Sequence, residues 1–539
     1  MLIRKKPPRS HALGEPILHD NHPRPVTRRD FVAAGFLSGP AMVIGPAWLG
    51  ALLRASRANA ALSPDIRALL AAGQCNVPTA SGGLPFICFD LAGGANLVGS
   101  EVLVGVQGGQ SNFLSTAGYG KLGLPGNMVP SSSANIDASL GLLWHADGAI
   151  KRGILSKATT PATAAGTNGA VLCAMSQNDT QNNPHNPMYG IAMAGAQGLL
   201  LTLIGTESSA SGGNSQAPMA LIDPSLQPTT INQPSDATAL VDTGGATADP
   251  VAVAVLESQA RISGGSSAYV SGNSASFTGA LAAPNGGTPG VQLYGDPVTD
   301  TALKNQVRCA YVKSANTADA FGNPAALDPT KDPNIIGGAT PIFTASDFSD
   351  SDVQKTATVM KLVLNGYAGA GTITLGGYDY HDGTRATGED RNFKAGQMIG
   401  AVLEYAHRVG KPVMVYVFSD GSLTSTGMVD NSAGGRGKLG WQGDSASVAS
   451  TFFLAYSPAG RPQPRNGAAG QQIGYFSSDG SVVSTSSPAA NAVNQLVQVV
   501  ILNYMGLLGT DAQFQTLFPT QSLGSGSVLA GLTAFTRIV

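Results

Sequence analysis

The stretch Thr374–Leu423 constrains this chain more than any other. An apolar run leads into Gly376-Gly377, with Asp379 and His381 two residues apart just beyond. A helical pattern follows from about Phe393 to Val409. The apolar run Pro412–Phe418 then stops at Ser419-Asp420-Gly421. This order of strand, loop, helix, strand and loop belongs to a parallel sheet, where ligands gather beyond the carboxyl ends of the strands. Asp379, His381 and Asp420 are therefore expected to converge on one rim. Two carboxylates and an imidazole are donor types that hold a divalent cation such as Zn, Ca or Mg. The plainer alternatives are an Asp379–His381 hydrogen bond that closes a loop, and Asp420 as a turn or N-cap residue.

The rest of the chain extends the same pattern. Leu84–Leu91 reads as a buried parallel strand ending at Ala92-Gly93-Gly94, which brings Asn96 and Ser100 to the same edge. Asp90, inside that run, reads as a carboxylate tied to backbone near the strand end. Ala170–Met175 is another buried strand. It enters the polar loop Ser176–Asn186, whose Asn, Asp and His185 either line a cleft or simply make turns. Met188–Ile204 reads as helix then strand, and Ser450–Tyr456 as a strand. Val298–Ser314, Ser349–Asn365 with an Asp350 or Ser351 N-cap, and Ala490–Leu508 read as helices. Ile136–Leu155 is expected to contain a helix with His145 near its end. Ser425–Ala449 reads as a Gly-rich loop, and His407 as a helix-terminal residue without function. The fold class is α/β, with a mainly parallel central sheet flanked by helices, in a single large domain over 61–539. A Gly/Ser-rich insertion over about 205–296 is expected to hold some short β-structure.

The first sixty residues read as an export signal. Arg28-Arg29 precede a weakly apolar stretch, Ala33–Leu53, broken twice by Gly-Pro, and Ala58-Asn59-Ala60 offers a small-residue cleavage site. No other stretch is long and apolar enough to span a membrane. The expected location is periplasmic or extracellular, with the twin-arginine translocation machinery as a partner. Charged residues are only 12% of the 539, and the net charge of -2 gives no footprint for nucleic acid. Cys75, Cys88, Cys173 and Cys309 lack the spacing of a zinc-thiolate site. Cys88 and Cys173 read as buried thiols, and a Cys75–Cys309 disulfide is one option in an oxidising compartment. No Gly-x-Ser-x-Gly elbow or Gly-rich phosphate loop of the Lys-Ser/Thr type is present.

Gly376-Gly377-Tyr378-Asp379-Tyr380-His381 resembles the Gly-Gly-Trp-Asp-Thr-His motif of domain-of-unknown-function family 1501. These are exported bacterial proteins distantly similar to sulfatases and alkaline phosphatases. Phe86–Ser100 resembles that family's opening strand and turn, and Phe418-Ser419-Asp420-Gly421 its Ser-Glu-Phe-Gly strand end. The resemblance implies a metal-assisted phosphate or sulfate ester hydrolase. Asp379, His381 and Asp420 would be metal ligands, with Asn96 standing where the family has an Asp. Ser100 would take the position of a Thr, as a nucleophile. The family's Asp-His pair further on is replaced here by Gly434-Gly435-Arg436-Gly437-Lys438. Arg436 and Lys438 would repel a metal or grip an anionic group, and Asp444 is a nearby substitute acid. The chain is thus read as a hydrolase with a reduced metal site, acting on an anionic ester. The alternatives are a non-catalytic periplasmic or cell-surface scaffold with a surface partner, and a carbohydrate or polymer binder using the Asn-rich loop.

Overall fold

Eight strands form the central sheet of this computed structural model, which describes residues 63–66, 82–176, 183–240, 309, 312 and 324–539. In chain order the strands are β1 (Phe86–Leu91), β2 (Thr167–Cys173), β3 (Leu201–Gly205), β4 (Thr229–Thr230), β5 (Ala368–Leu375), β6 (Val413–Ser419), β7 (Ser450–Tyr456) and β8 (Gln472–Ile473). Their order across the sheet is β8-β2-β7-β6-β1-β5-β3-β4. Only β7 runs antiparallel to its neighbours; the other pairings are parallel. The expected α/β architecture with a mainly parallel sheet is therefore what the chain adopts.

The chain divides into two units. The larger comprises Leu70–Thr247 and Ala320–Val539 and contains the sheet. The other comprises Met1–Leu69 and Ala248–Asp319, almost all of it outside the described residues. The segment read as an export signal, most of the stretch Val298–Ser314 read as a helix and the expected insertion beyond residue 240 also lie outside them. Among the described residues no helix is long and apolar enough to cross a membrane. Cys88 and Cys173 are buried free thiols and Cys309 is disulfide-bonded, while Cys75 lies outside the described residues.

Alternation along the strands separates two cores. Ile87, Phe89 and Leu91 of β1 and Val413, Val415 and Val417 of β6 face one side. They pack there with α1 (Ala149–Lys157), α3 (Ser351–Leu364) and α4 (Ala386–Arg408). Phe86 and Cys88 of β1 and Met414, Tyr416 and Phe418 of β6 face the other, against α2 (Met188–Met193) and α5 (Val493–Leu508). Strands covered on both faces read as near-continuous apolar runs, which is why they were visible in the sequence. α3 begins where its cap requires: the Asp350 side chain accepts from the Asp352 amide.

Three expectations are corrected. α4 begins at Ala386, about two turns before Phe393. The Ala490–Leu508 helix is broken at Ala492, whose backbone is extended (φ -147, ψ 128). His145 is not helical; Trp144–His145 pairs with Ile136–Asp137, and α1 starts only after Gly148.

α1 and α4 approach with backbones nearly touching, because small residues line the contact. A Cβ added at Gly396 would lie 2.1 Å from the Ile150 carbonyl oxygen, and one at Gly400 would lie 2.3 Å from that of Ile154. In an open helix, Gly→Ala gains about 1 kcal/mol. Here overpacking against rigid backbone reverses the sign. Gly396→Ala is expected to lower stability in urea unfolding by about 1–3 kcal/mol; a stabilised variant would show that the helices slide apart freely.

Candidate divalent-cation site

The register sets where the site is. Leu91 of β1 stands opposite both Leu375 of β5 and Ser419 of β6, so these three strands end flush. The turn after β1 is sewn to both neighbours. Ala92 donates to the Leu375 carbonyl, Tyr378 to that of Ala92, and Asp420 to that of Gly93. Gly93 has φ +130, and a Cβ there would sit 2.3 Å from the Asp379 nitrogen, so only glycine permits this approach.

Beyond β5 the chain keeps a two-residue alternation. Tyr378 and Tyr380 are buried, with their hydroxyls tied to the Arg391 carbonyl and the Asn392 side chain of α4. Asp379 and His381 are thereby turned to solvent, with side chains 49% and 40% exposed and His381 Nε2 2.7 Å from Asp379 Oδ1. A third ligand arrives from a hairpin that replaces the expected Gly-rich loop. Its strands are Leu423–Val429 and Leu439–Asp444. Trp441 donates to the Thr384 carbonyl and accepts from the Gly383 amide. With the segments running in opposite directions, three steps beyond Trp441 reach Asp444, and three steps back from Gly383–Thr384 reach Tyr380–His381. Asp379, His381 and Asp444 each offer a ligand atom within 4.8 Å of the others, all exposed. That is the span two donors reach across one ion at about 2.0–2.4 Å.

Asp420 does not join them. Alternation in β6 carries it to the Phe418 side, where it is buried. Its Oδ1 faces the Ser215 hydroxyl at 3.4 Å, and its carbonyl accepts from the Ser176 hydroxyl and the Asn183 amide. Asn96 is close but occupied. Its Oδ1 accepts from the Val98 amide and its Nδ2 donates to the Leu423 carbonyl, making it a turn brace rather than a ligand. Asp90 is held as expected, with Oδ2 accepting from the Ser215 amide at 2.7 Å. His185, from the polar loop, is buried and stacked on Phe418, with Nε2 2.9 Å from the Ser176 hydroxyl. Burial pushes its pKa down to about 3, which keeps it neutral.

Of the three residues expected to do chemistry on an anion, Ser100 and Lys438 lie in a buried ion network, and Arg436 joins it from the exposed connection between the hairpin strands. The Ser100 hydroxyl is buried and accepts from Arg385 Nη2 at 2.7 Å. Lys438, also buried, donates to Glu389 Oε1 and to the Asp147 carbonyl, each at 2.7 Å. Arg436 grips the Asp147 carboxylate through Nε at 2.9 Å. It is the one non-glycine residue at positive φ (55°) among the described residues. Glu389 also takes Arg385 and Arg152. Burial opposes its charge, but Arg385 and Lys438 outweigh that and hold it below the usual glutamate range. Burial pushes Glu101 up to about 7. Its Oε2 accepts from the Ile150 amide and so caps α1, which has no side-chain cap of its own. Lys438 is thus enclosed and paired with Glu389, whereas Arg436 is paired with Asp147 but 41% exposed.

Asp444 was legible only as a nearby acid. The stronger signal was the β-prone LTSTGMV and LGWQGD on either side of a Gly-rich turn, a hairpin pattern. No protein-family profile, curated protein or solved structure matches the chain.

Asp90 supplies a pH test of the opposite face. Burial pushes its pKa up to about 6, so the folded state binds the proton more tightly than the unfolded chain. The stabilisation is complete below pH 4 and lost as pH rises through 6. Asp90→Asn keeps an acceptor for Ser215 and removes the titration. Between pH 4 and 7 the wild type is expected to lose up to about 3 kcal/mol relative to this variant in urea titrations. Parallel curves would contradict the assignment.

Proposed function

We propose that this chain is an exported protein built on an alkaline-phosphatase-like scaffold, that it binds one divalent cation through Asp379, His381 and Asp444, and that it has given up the ester hydrolysis of such scaffolds. The convergence of these three donors within 4.8 Å carries the cation reading. A mixed imidazole and carboxylate set suits Zn or Mn better than an all-oxygen ion such as Mg. The loss of hydrolysis is supported by the fate of the residues that would perform it. Ser100 is enclosed and bound to Arg385, and both expected anion-gripping side chains are engaged by carboxylates. A periplasmic or cell-surface role in binding or assembly fits this pattern.

A metal-dependent phosphate or sulfate ester hydrolase is the second reading. The exposure of the three ligands favours it, because coordination positions stay open for a Lewis-acid role. One experiment separates the two. Purified protein is loaded with Zn or Mn, its metal content measured, and aryl phosphate and aryl sulfate turnover assayed beside Asp379→Asn/Asp444→Asn. The expected result is about one ion per chain, lost in the double variant, with no turnover above buffer. Turnover that follows the metal would establish the hydrolase instead, and no bound metal would remove the cation site.

A further inference from the structure

We propose that Lys438 is a positioning residue for the cation site, an internal ammonium that fixes the hairpin so that Asp444 meets Asp379 and His381. This rests on the cation-binding reading above. Asp379 and Asp444 can share one ion only while the hairpin is held at ligand distance from the rim segment. Backbone hydrogen bonds join the hairpin to the rim segment at Trp441. Charged anchoring comes from the exposed Arg436 on Asp147 and, in the interior, from Lys438, one residue before the strand that ends in Asp444. Its ammonium is fully buried and bound to Glu389 of α4 and to the Asp147 carbonyl.

A second tie lies just outside. The Asp430 carboxylate accepts from the Arg385 amide, and the Asp430 amide donates to the Lys438 carbonyl, so both arms of the hairpin close on the first residues of α4. The Trp441 ring lies under the Arg385 guanidinium at 4.4 Å and beside Tyr380, the residue between the two rim ligands. A shift of Lys438 therefore reaches the ligands through contacts that are all in place. Groups hydrogen-bonded to metal ligands typically set about 10–100-fold in affinity, and Lys438 acts from behind such contacts, at the lower end of that range.

The test is Mn²⁺ titration of the full chain by calorimetry, at a temperature where every variant is folded by circular dichroism. Lys438→Met keeps the side-chain length and leaves Glu389 paired with Arg385 and Arg152. It is expected to raise the Mn²⁺ Kd about ten-fold or more, and Lys438→Arg is expected to restore most of the loss. Asp430→Ala, at a partly exposed position, should raise the Kd several-fold through the second tie; if Lys438→Met does not fold, Lys438→Gln, which keeps a donor but no charge, is read in its place. Unchanged Kd in the folded variants, or an arginine that fails to rescue, overturns the positioning role and leaves the cation site standing. A wild-type chain that binds no Mn²⁺ overturns the cation reading itself.

Discussion

The clasp of Trp441 on Gly383 and Thr384 is the contact on which the site depends. Two backbone hydrogen bonds lay a hairpin across the rim of a parallel sheet, and the direction of that hairpin decides which acid reaches Asp379 and His381. The clasp needs its surroundings. Gly93 must lack a side chain for the rim segment to lie against the turn after β1. Tyr378 and Tyr380 must be anchored on α4 for the residues between and after them to face water. The Trp441 ring fills the space between Tyr380 and Arg385. Flush strand ends supply the platform, and the hairpin brings Asp444 to within 4.8 Å of the other two candidate donors.

Beneath the rim, the molecule keeps charges where an apolar core would fold as well. Glu101, Arg385, Glu389 and Lys438 are almost fully buried. Buried ions lose several kcal/mol of hydration each and recover it only with good partners. The partners here tie the turn after β1, the N-terminus of α1, the first turns of α4 and the hairpin to one another. A network of this kind specifies geometry more than it adds stability. It also takes in Ser100, Arg436 and Lys438, which bond within it to Arg385, Asp147 and Glu389.

The sheet was legible in the sequence because its strands are buried on both faces and stand out as apolar runs, as Phe86–Leu91 and Val413–Ser419 illustrate. Asp379 and His381 were legible for a related reason, since alternation with two tyrosines at a strand end leaves little choice of direction. The third ligand was not. Asp420 follows β6 with the same period that places Phe418, and that period sends it to the opposite face. Distance along the chain from a strand end was the wrong guide, and parity was the right one. Asp444 depends on a hairpin whose docking is set by the Trp441 clasp, a tertiary contact with no local signature. Lys438 was read for its charge alone, and charge does not reveal whether a side chain points out to an anion or inward to a glutamate.

Anomalous scattering from crystals grown with Zn²⁺ or Mn²⁺ tests the central claim most directly. One peak is expected at the rim, with Asp379, His381 and Asp444 donors about 2.0–2.4 Å away. A peak beside Asp420, or no peak at the rim with the metal in excess, would contradict it.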